Sequence, residues 1–174
     1  MNNCRTVETS CREARVSPVR ATLNPASLTS AAGETDNRMR AEVRQWLEDF
    51  SAAVRAVDYA AGEKMFAPDV VGFGTVGVML KGLQTLINSQ WKHVWGVTSG
   101  FHFHMDHLTC SGAGDVAWAA VPWTSWGRTR DGQGFVRHGR GTYILHRRNG
   151  KWLAVHTHHS LDPSGTPPGE TSAS

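Results

Sequence analysis

Three features that would narrow the reading are missing from this 174-residue chain: paired cysteines, a long apolar run, and charge of one sign. Cys4, Cys11 and Cys110 form neither a disulfide framework nor a zinc-type spacing, so free thiols and an intracellular, cytoplasmic setting are expected. No stretch reaches the roughly 20 apolar residues of a membrane-spanning helix. The first residues also lack the run of about 7–15 apolar residues that marks a secretory signal. The net charge of +3 is spread thinly: residues 1–35 carry four Arg against three Glu, and the remainder is within two charges of balance. Without a basic stripe or a nucleic-acid-binding motif, a phosphate-tracking role is not expected.

What the chain does have is imidazole and indole. Its nine His and seven Trp are concentrated between Trp91 and His159, which is where chemistry is expected. Residues 1–35 and 163–174 lack hydrophobic periodicity and read as disordered tails around one domain at 36–162. Asp36 is a plausible N-cap for a long amphipathic helix carrying Met39, Val43, Trp46, Leu47, Phe50, Val54 and Val57 on one face. A shorter helix is expected over 59–66, then a short strand over 69–74. A third helix begins after Gly82, with Leu83, Leu86, Ile87, Gln90, Trp91 and Val94 at helical spacing. The rest alternates as strand. Phe101, Phe103 and Met105 oppose His102, His104 and Asp106, and 115–126 is a second strand in which Pro122 suggests a bulge. Helices first and a meandering sheet afterwards predict an α+β fold.

The last segment, GTYILHRRNGKWLAVHTHHSLDP, sets the predicted site. Asn149-Gly150 suits a two-residue type I′ turn, which pairs Arg148 with Lys151 and carries the register outward. Leu145 then faces Ala154, Tyr143 faces His156, and Gly141 faces His158. Strand alternation puts Tyr143, His156 and His158 on one face, beside Gly139 and Gly141, whose missing side chains leave room for a pocket. Thr142, Ile144, Val155 and His159 fall on the other face.

The long first helix, AVDYAAGEKMFAPDVVGFG, the Gly82 helix entry and GRGTYILHRRNGKWLAVHTHHS together resemble the SnoaL-like, nuclear transport factor 2-like superfamily of ketosteroid-isomerase-like cone folds. The DGQG turn with the segment after it also resembles the association domain of calcium/calmodulin-dependent protein kinase. The resemblance implies a curved, mostly antiparallel sheet wrapped around the first helix, an apolar cavity between them, and a dimer or larger ring. It does not imply one activity, since this superfold hosts isomerases, dehydratases, cyclases, epoxide hydrolases and assembly domains. Where ketosteroid isomerases carry a carboxylate base this chain has Gly74 and Thr75, and their oxyanion-hole tyrosine falls at Phe50. Steroid isomerisation by that route is therefore not expected.

Four residues remain as catalytic candidates. His156 and His158 would move protons, Tyr143 would donate to an oxygen gaining charge, and Asp106 would orient or pair an imidazole. His102 and His104 share the face of Asp106. Trp118, Trp123 and Trp126 have mixed parity, so at least one leaves the cavity; Trp91 and Trp95 read as core or lid, and Arg140 as pointing away. The His-X-His pairs 102/104 and 156/158 raise metal chelation, but the superfamily's strand order separates them. Cys110 reads as a buried thiol. The expectation is a cofactor-independent lyase, isomerase or hydrolase acting on a small hydrophobic or aromatic molecule, with no metal. The alternative is a non-catalytic ligand-binding or assembly domain. A homodimer through the outer sheet face is expected in either case.

Overall fold

The computed structural model describes residues 25–75, 77–128 and 132–163, with side chains from residue 33 onward. Of the tails expected at 1–35 and 163–174, residues 1–24 and 164–174 lie outside the described residues, as does part of the DGQG turn, whereas residues 25–35 are helical.

Helix α1, Pro25–Ala56, is the spine of the fold. It starts before the expected cap: Asp36 lies inside it, and its carboxylate accepts from Arg40 Nε one turn on, at 2.8 Å. Met39, Val43, Trp46, Leu47, Phe50 and Val54 are buried as one stripe, whereas Val57 lies beyond the helix end and is exposed. Near its middle the helix is tied to the sheet by Glu42, which accepts from Arg147 Nη2 at 2.7 Å and Trp152 Nε1 at 2.8 Å. These hydrogen bonds, that from Trp152 first, hold the Glu42 carboxyl below its usual range.

Helix α2, Tyr59–Glu63, is capped by Asp58, which accepts from Ala61 N–H. It stops short of the expected Phe66, because strand β1, Phe66–Phe73, begins there. Strand β2, Leu80–Lys81, and helix α3, Leu83–Leu86, follow. The helical path then widens into a π-helical turn at Ile87–Trp91 before α4, Lys92–Val94. The wide turn lets the consecutive residues Gln90 and Trp91 both face inward.

Strands β3 (Thr98–Phe103), β4 (Thr109–Ala113), β5 (Val116–Arg128), β6 (Gly134–Arg148) and β7 (Lys151–Leu161) complete one sheet. Its order is β2-β1-β7-β6-β5-β3, with β4 also pairing with β5. All the pairings are antiparallel except β1 with β7. The α+β cone fold is therefore present. Pro122 makes no bulge against β6, since every β5 residue from 116 to 128 keeps its partner. On its other edge it falls between the last β4 partner, Ala120, and the first β3 partner, Trp123, where its missing N–H breaks no ladder.

The Asn149-Gly150 turn has the expected form, with φ of 51° and 75°. The expected register holds only as far as Leu145 and Ala154. A bulge then leaves Val155 without a partner, so Ile144 faces His156 and Tyr143 faces Thr157. From there every β7 side chain changes face, a correction to the pairing of Tyr143 with His156 and Gly141 with His158.

Gly139 and Gly141 do leave room, but aromatic core rings fill it. A Cβ on Gly139 would clash with the edge of the Trp123 ring and lie 2.5 Å from the Ser160 carbonyl oxygen, and one on Gly141 would lie 3.1 Å from the Tyr143 ring. Gly139→Ala is expected to lower stability by about 1–3 kcal/mol through overpacking. Gly134→Ala has open space around it and is the near-silent control in a denaturant titration. Equal midpoints for the two variants would contradict this packing.

Candidate active site

Between α1, the helical segment 83–97 and the concave sheet face lies a cavity of about 50 Å³, lined by Phe50, Phe66, Trp91, Trp95, Phe101 and Trp123 among others. That holds a few waters or one small organic group, since a water needs roughly 10–15 Å³ on the same scale. The aromatic wall is continuous: Trp91 stacks on Trp95 at 4.5 Å between centroids, and Phe50 touches Phe66, Trp91 and Trp95. Phe50, Gly74 and Thr75, the positions where ketosteroid isomerases carry their functional groups, do line the cavity.

The polar lining is sparse: Thr98, Ser125, Arg137, Thr157 and His159 from the strands, Thr75 from the loop after β1, and Gln90 from the π-helical turn. The bulge at Val155 brings His159 here. Its Nε2 lies 2.6 Å from the Tyr143 hydroxyl, and Nδ1 has no hydrogen-bond partner among the described residues. Burial, with the nearby His158 second, pushes the His159 imidazole down to about 4, and burial pushes the Tyr143 phenol well above its ordinary range. At neutral pH the pair is therefore an uncharged imidazole and an intact phenol. A hydroxyl both gives and takes hydrogen bonds, so the contact fits either neutral tautomer. His159 Nδ1 accepts a proton in one tautomer and donates in the other.

Of the four residues singled out by sequence, only Tyr143 reaches this site, and it does so through His159: its side chain is fully buried and does not itself line the cavity. His156 and His158 lie on the outer face beyond the bulge, flanking Phe73 at 5.6 and 5.5 Å. Asp106 is not in a strand. It sits in a 3-10 turn, Met105–His107, exposed and 3.4 Å from His107 Nε2. Strand β3 ends before it, which breaks the alternation used to place it. His104 also faces outward, bonded at 2.7 Å to Thr124 Oγ1, which lies 3.1 Å from His138 Nδ1. Trp118, Trp126 and Arg140 are exposed, whereas Trp123 is buried beside the cavity. No group of three or more potential metal ligands converges among the described residues.

The sequence over residues 43–163 matches the family described as the SnoaL-like domain. The chain belongs to that family. Its solved structural neighbours agree on the fold. A nuclear transport factor 2-like protein of unknown function from Pseudomonas putida KT2440 is 27% identical, covering 71% of this chain and 87% of that one, with a TM-score of 0.59. A nuclear transport factor 2-like superfamily protein from Salmonella enterica serovar Typhimurium is 22% identical, covers 78% and 98%, and has a TM-score of 0.65. The association domain of the C. elegans calcium/calmodulin-dependent protein kinase II is 13% identical, covers 73% and 98%, and has a TM-score of 0.59. No curated protein matches the sequence.

Among the polar residues of this SnoaL-like cavity, His159 and Arg137 are the two with titratable or charged side chains, and both escaped the sequence reading. His159 was placed on the wrong face because nothing in Val-His-Thr-His-His-Ser marks a bulge. Arg137 was overlooked although its signal was present: it has the inward parity of Gly139, Gly141 and Tyr143. It lies half-buried, donating from Nε to Ser125 Oγ at 3.2 Å and from Nη2 to Thr98 Oγ1.

The depressed His159 pKa has a stability consequence. Between about pH 4 and 6.5 the unfolded chain binds a proton at this site that the folded one refuses, so stability is fully present above pH 6.5 and is lost as the pH falls toward 4. The loss is on the order of 2–3 kcal/mol, allowing for the imidazole's residual exposure to the cavity. Chemical denaturation at pH 7 and pH 4 is expected to show a pH dependence shallower by that amount in His159→Gln. An unchanged dependence would contradict the burial of a neutral imidazole.

Proposed function

We propose that this chain is a cofactor-independent SnoaL-like enzyme, a lyase, isomerase or hydrolase, in which His159 moves a proton on a small, mostly apolar molecule held in the cavity. The observation that carries this reading is the 2.6 Å contact between Tyr143 and His159 at the cavity wall, with the second imidazole nitrogen uncommitted. Tyr143 acts as a positioning residue: its phenol fixes the ring while Nδ1 accepts and returns the proton. The aromatic wall excludes water, and positioned proton transfer contributes about 10²–10⁴-fold. A cytoplasmic setting, expected from the cysteine usage, belongs to the same reading.

The test is turnover, followed by NMR in D₂O, across a panel of small aromatic and aliphatic carbonyl and hydroxy compounds. His159→Gln is expected to reduce turnover by at least 10²-fold. Tyr143→Phe is expected to reduce it less and to move the acid limb of the pH–rate profile. His156→Ala and His158→Ala, on the outer face, are the near-silent controls. Loss of activity in those two with His159→Gln unaffected would overturn the site. Thermal stabilisation by panel compounds without turnover favours the alternative, a binding module.

A second reading, compatible with the first, is homodimerisation through the outer face of the sheet. Trp118, Trp126, Val136 and Ile144 are exposed there by 41%, 52%, 40% and 37%, an apolar surface that water penalises. Trp118 sits beside Ile144, and Trp126 beside Val136, in the β5–β6 ladder. Light scattering of the full chain at micromolar concentration is expected to give a dimer, and Trp118→Lys with Ile144→Lys a monomer. A monomeric wild type would contradict this reading.

A further inference from the structure

The geometry points to a small organic monocarboxylate as the cavity's ligand, its carboxylate held by Arg137 and its apolar body against Phe50, Trp91, Trp95 and Phe101. This inference rests on the reading that the cavity is a ligand site and adds the chemical class of what enters it.

Arg137 is the one permanent cation among the described lining residues, because His159 is neutral at physiological pH. Its hydrogen-bond partners among the described residues are neutral. The guanidinium meets two hydroxyls, Ser125 Oγ and Thr98 Oγ1, and among the described residues no carboxylate forms an ion pair with it. Four other arginines with described side chains, Arg38, Arg40, Arg147 and Arg148, do pair with carboxylates. Ser125 is fully buried, so the hydroxyl that holds Arg137 Nε is itself fixed. A guanidinium has five N–H groups, and two are used. Three remain, both on Nη1 and one on Nη2, a fork whose geometry matches the two oxygens of a carboxylate.

Leaving a cation half-buried beside aromatic walls without a counter-charge is costly, and an incoming anion removes that cost. One guanidinium neutralises one negative charge, so a monoanion leaves the cavity neutral whereas a phosphate dianion does not. The apolar remainder of the lining then favours a hydrocarbon or aromatic body.

Isothermal titration calorimetry on the full chain tests this with matched probes at pH 7.5: acetate, butyrate, benzoate and phenylacetate against acetamide, butyramide, benzamide and phenylacetamide. At least one carboxylate is expected to bind wild type tenfold or more tightly than its amide. Arg137→Gln is expected to keep amide binding and lose that preference, and Arg137→Lys to recover part of it. On wild type alone, the preference is expected to stay constant from pH 6 to 9, as a guanidinium requires, and this arm remains decisive if Arg137→Gln does not fold. Wild type binding no carboxylate in preference to its amide would overturn the inference. So would a preference that collapses between pH 6 and 8, or one that survives in Arg137→Gln. His159→Gln is expected to retain the preference, so absent turnover with the preference intact would refute the enzyme reading and leave the anion site standing.

Discussion

Val155 is the extra residue of β7. Ala154 pairs with Leu145 and His156 with Ile144, so Val155 has no partner on β6 and every later side chain lies on the opposite face from a regular ladder. The parallel neighbour on the other side is irregular at the same level, with β1 losing register between Phe66 and Val71 where it faces Ala154 and His156. The ladder thus shifts on both flanks. What the shift achieves is compositional: it takes two imidazoles, His156 and His158, off the aromatic core and puts Thr157 and His159 there instead. The cavity then holds one imidazole with a committed partner.

The cavity is the part of the aromatic core that the rings do not fill. Helix α1 contributes Trp46 and Phe50, the π-helical turn contributes Trp91, and the sheet contributes Phe101, Phe103, Trp123 and Tyr143. Close packing there depends on small neighbours: Gly62 beneath Trp91 and Trp95, and Gly139 beneath Trp123. Two indole N–H groups, on Trp46 and Trp123, are buried with no acceptor among the described residues. Each such group costs about 1–3 kcal/mol, which the burial of the rings themselves must offset. Polar groups that do face the cavity are held by others: His159 by Tyr143, and Arg137 by Ser125 and Thr98. Groups held in this way have little orientation left to lose when a ligand arrives.

Much of the fold was legible because it rests on periodicity and turn chemistry. The α1 stripe, the helix after Gly82 and the Asn149-Gly150 turn each carry a local signal strong enough to survive folding. Element ends were less legible. Asp36 has the chemistry of a cap but serves as an intrahelical partner for Arg40, and the strand alternation through Phe103 stops one residue before Met105 begins a turn. The site was the least legible part, because side-chain parity changes with a single bulged residue and a Val in a β-branched run does not announce one. Arg137 shows the converse case: its parity was readable, but its lack of a carboxylate partner is a property of the folded chain alone.

The central claim is that the bulge buries His159 as a neutral imidazole against Tyr143. Long-range ¹H–¹⁵N correlation spectroscopy of the histidine rings, with His159 identified by its loss in His159→Gln, tests it directly. The account predicts that His159 stays neutral until the pH approaches about 4 and that Tyr143→Phe shifts its Nε2 resonance. A His159 ring that titrates near 6.5, or a Tyr143→Phe change that moves His156 or His158 and leaves His159 in place, would contradict it.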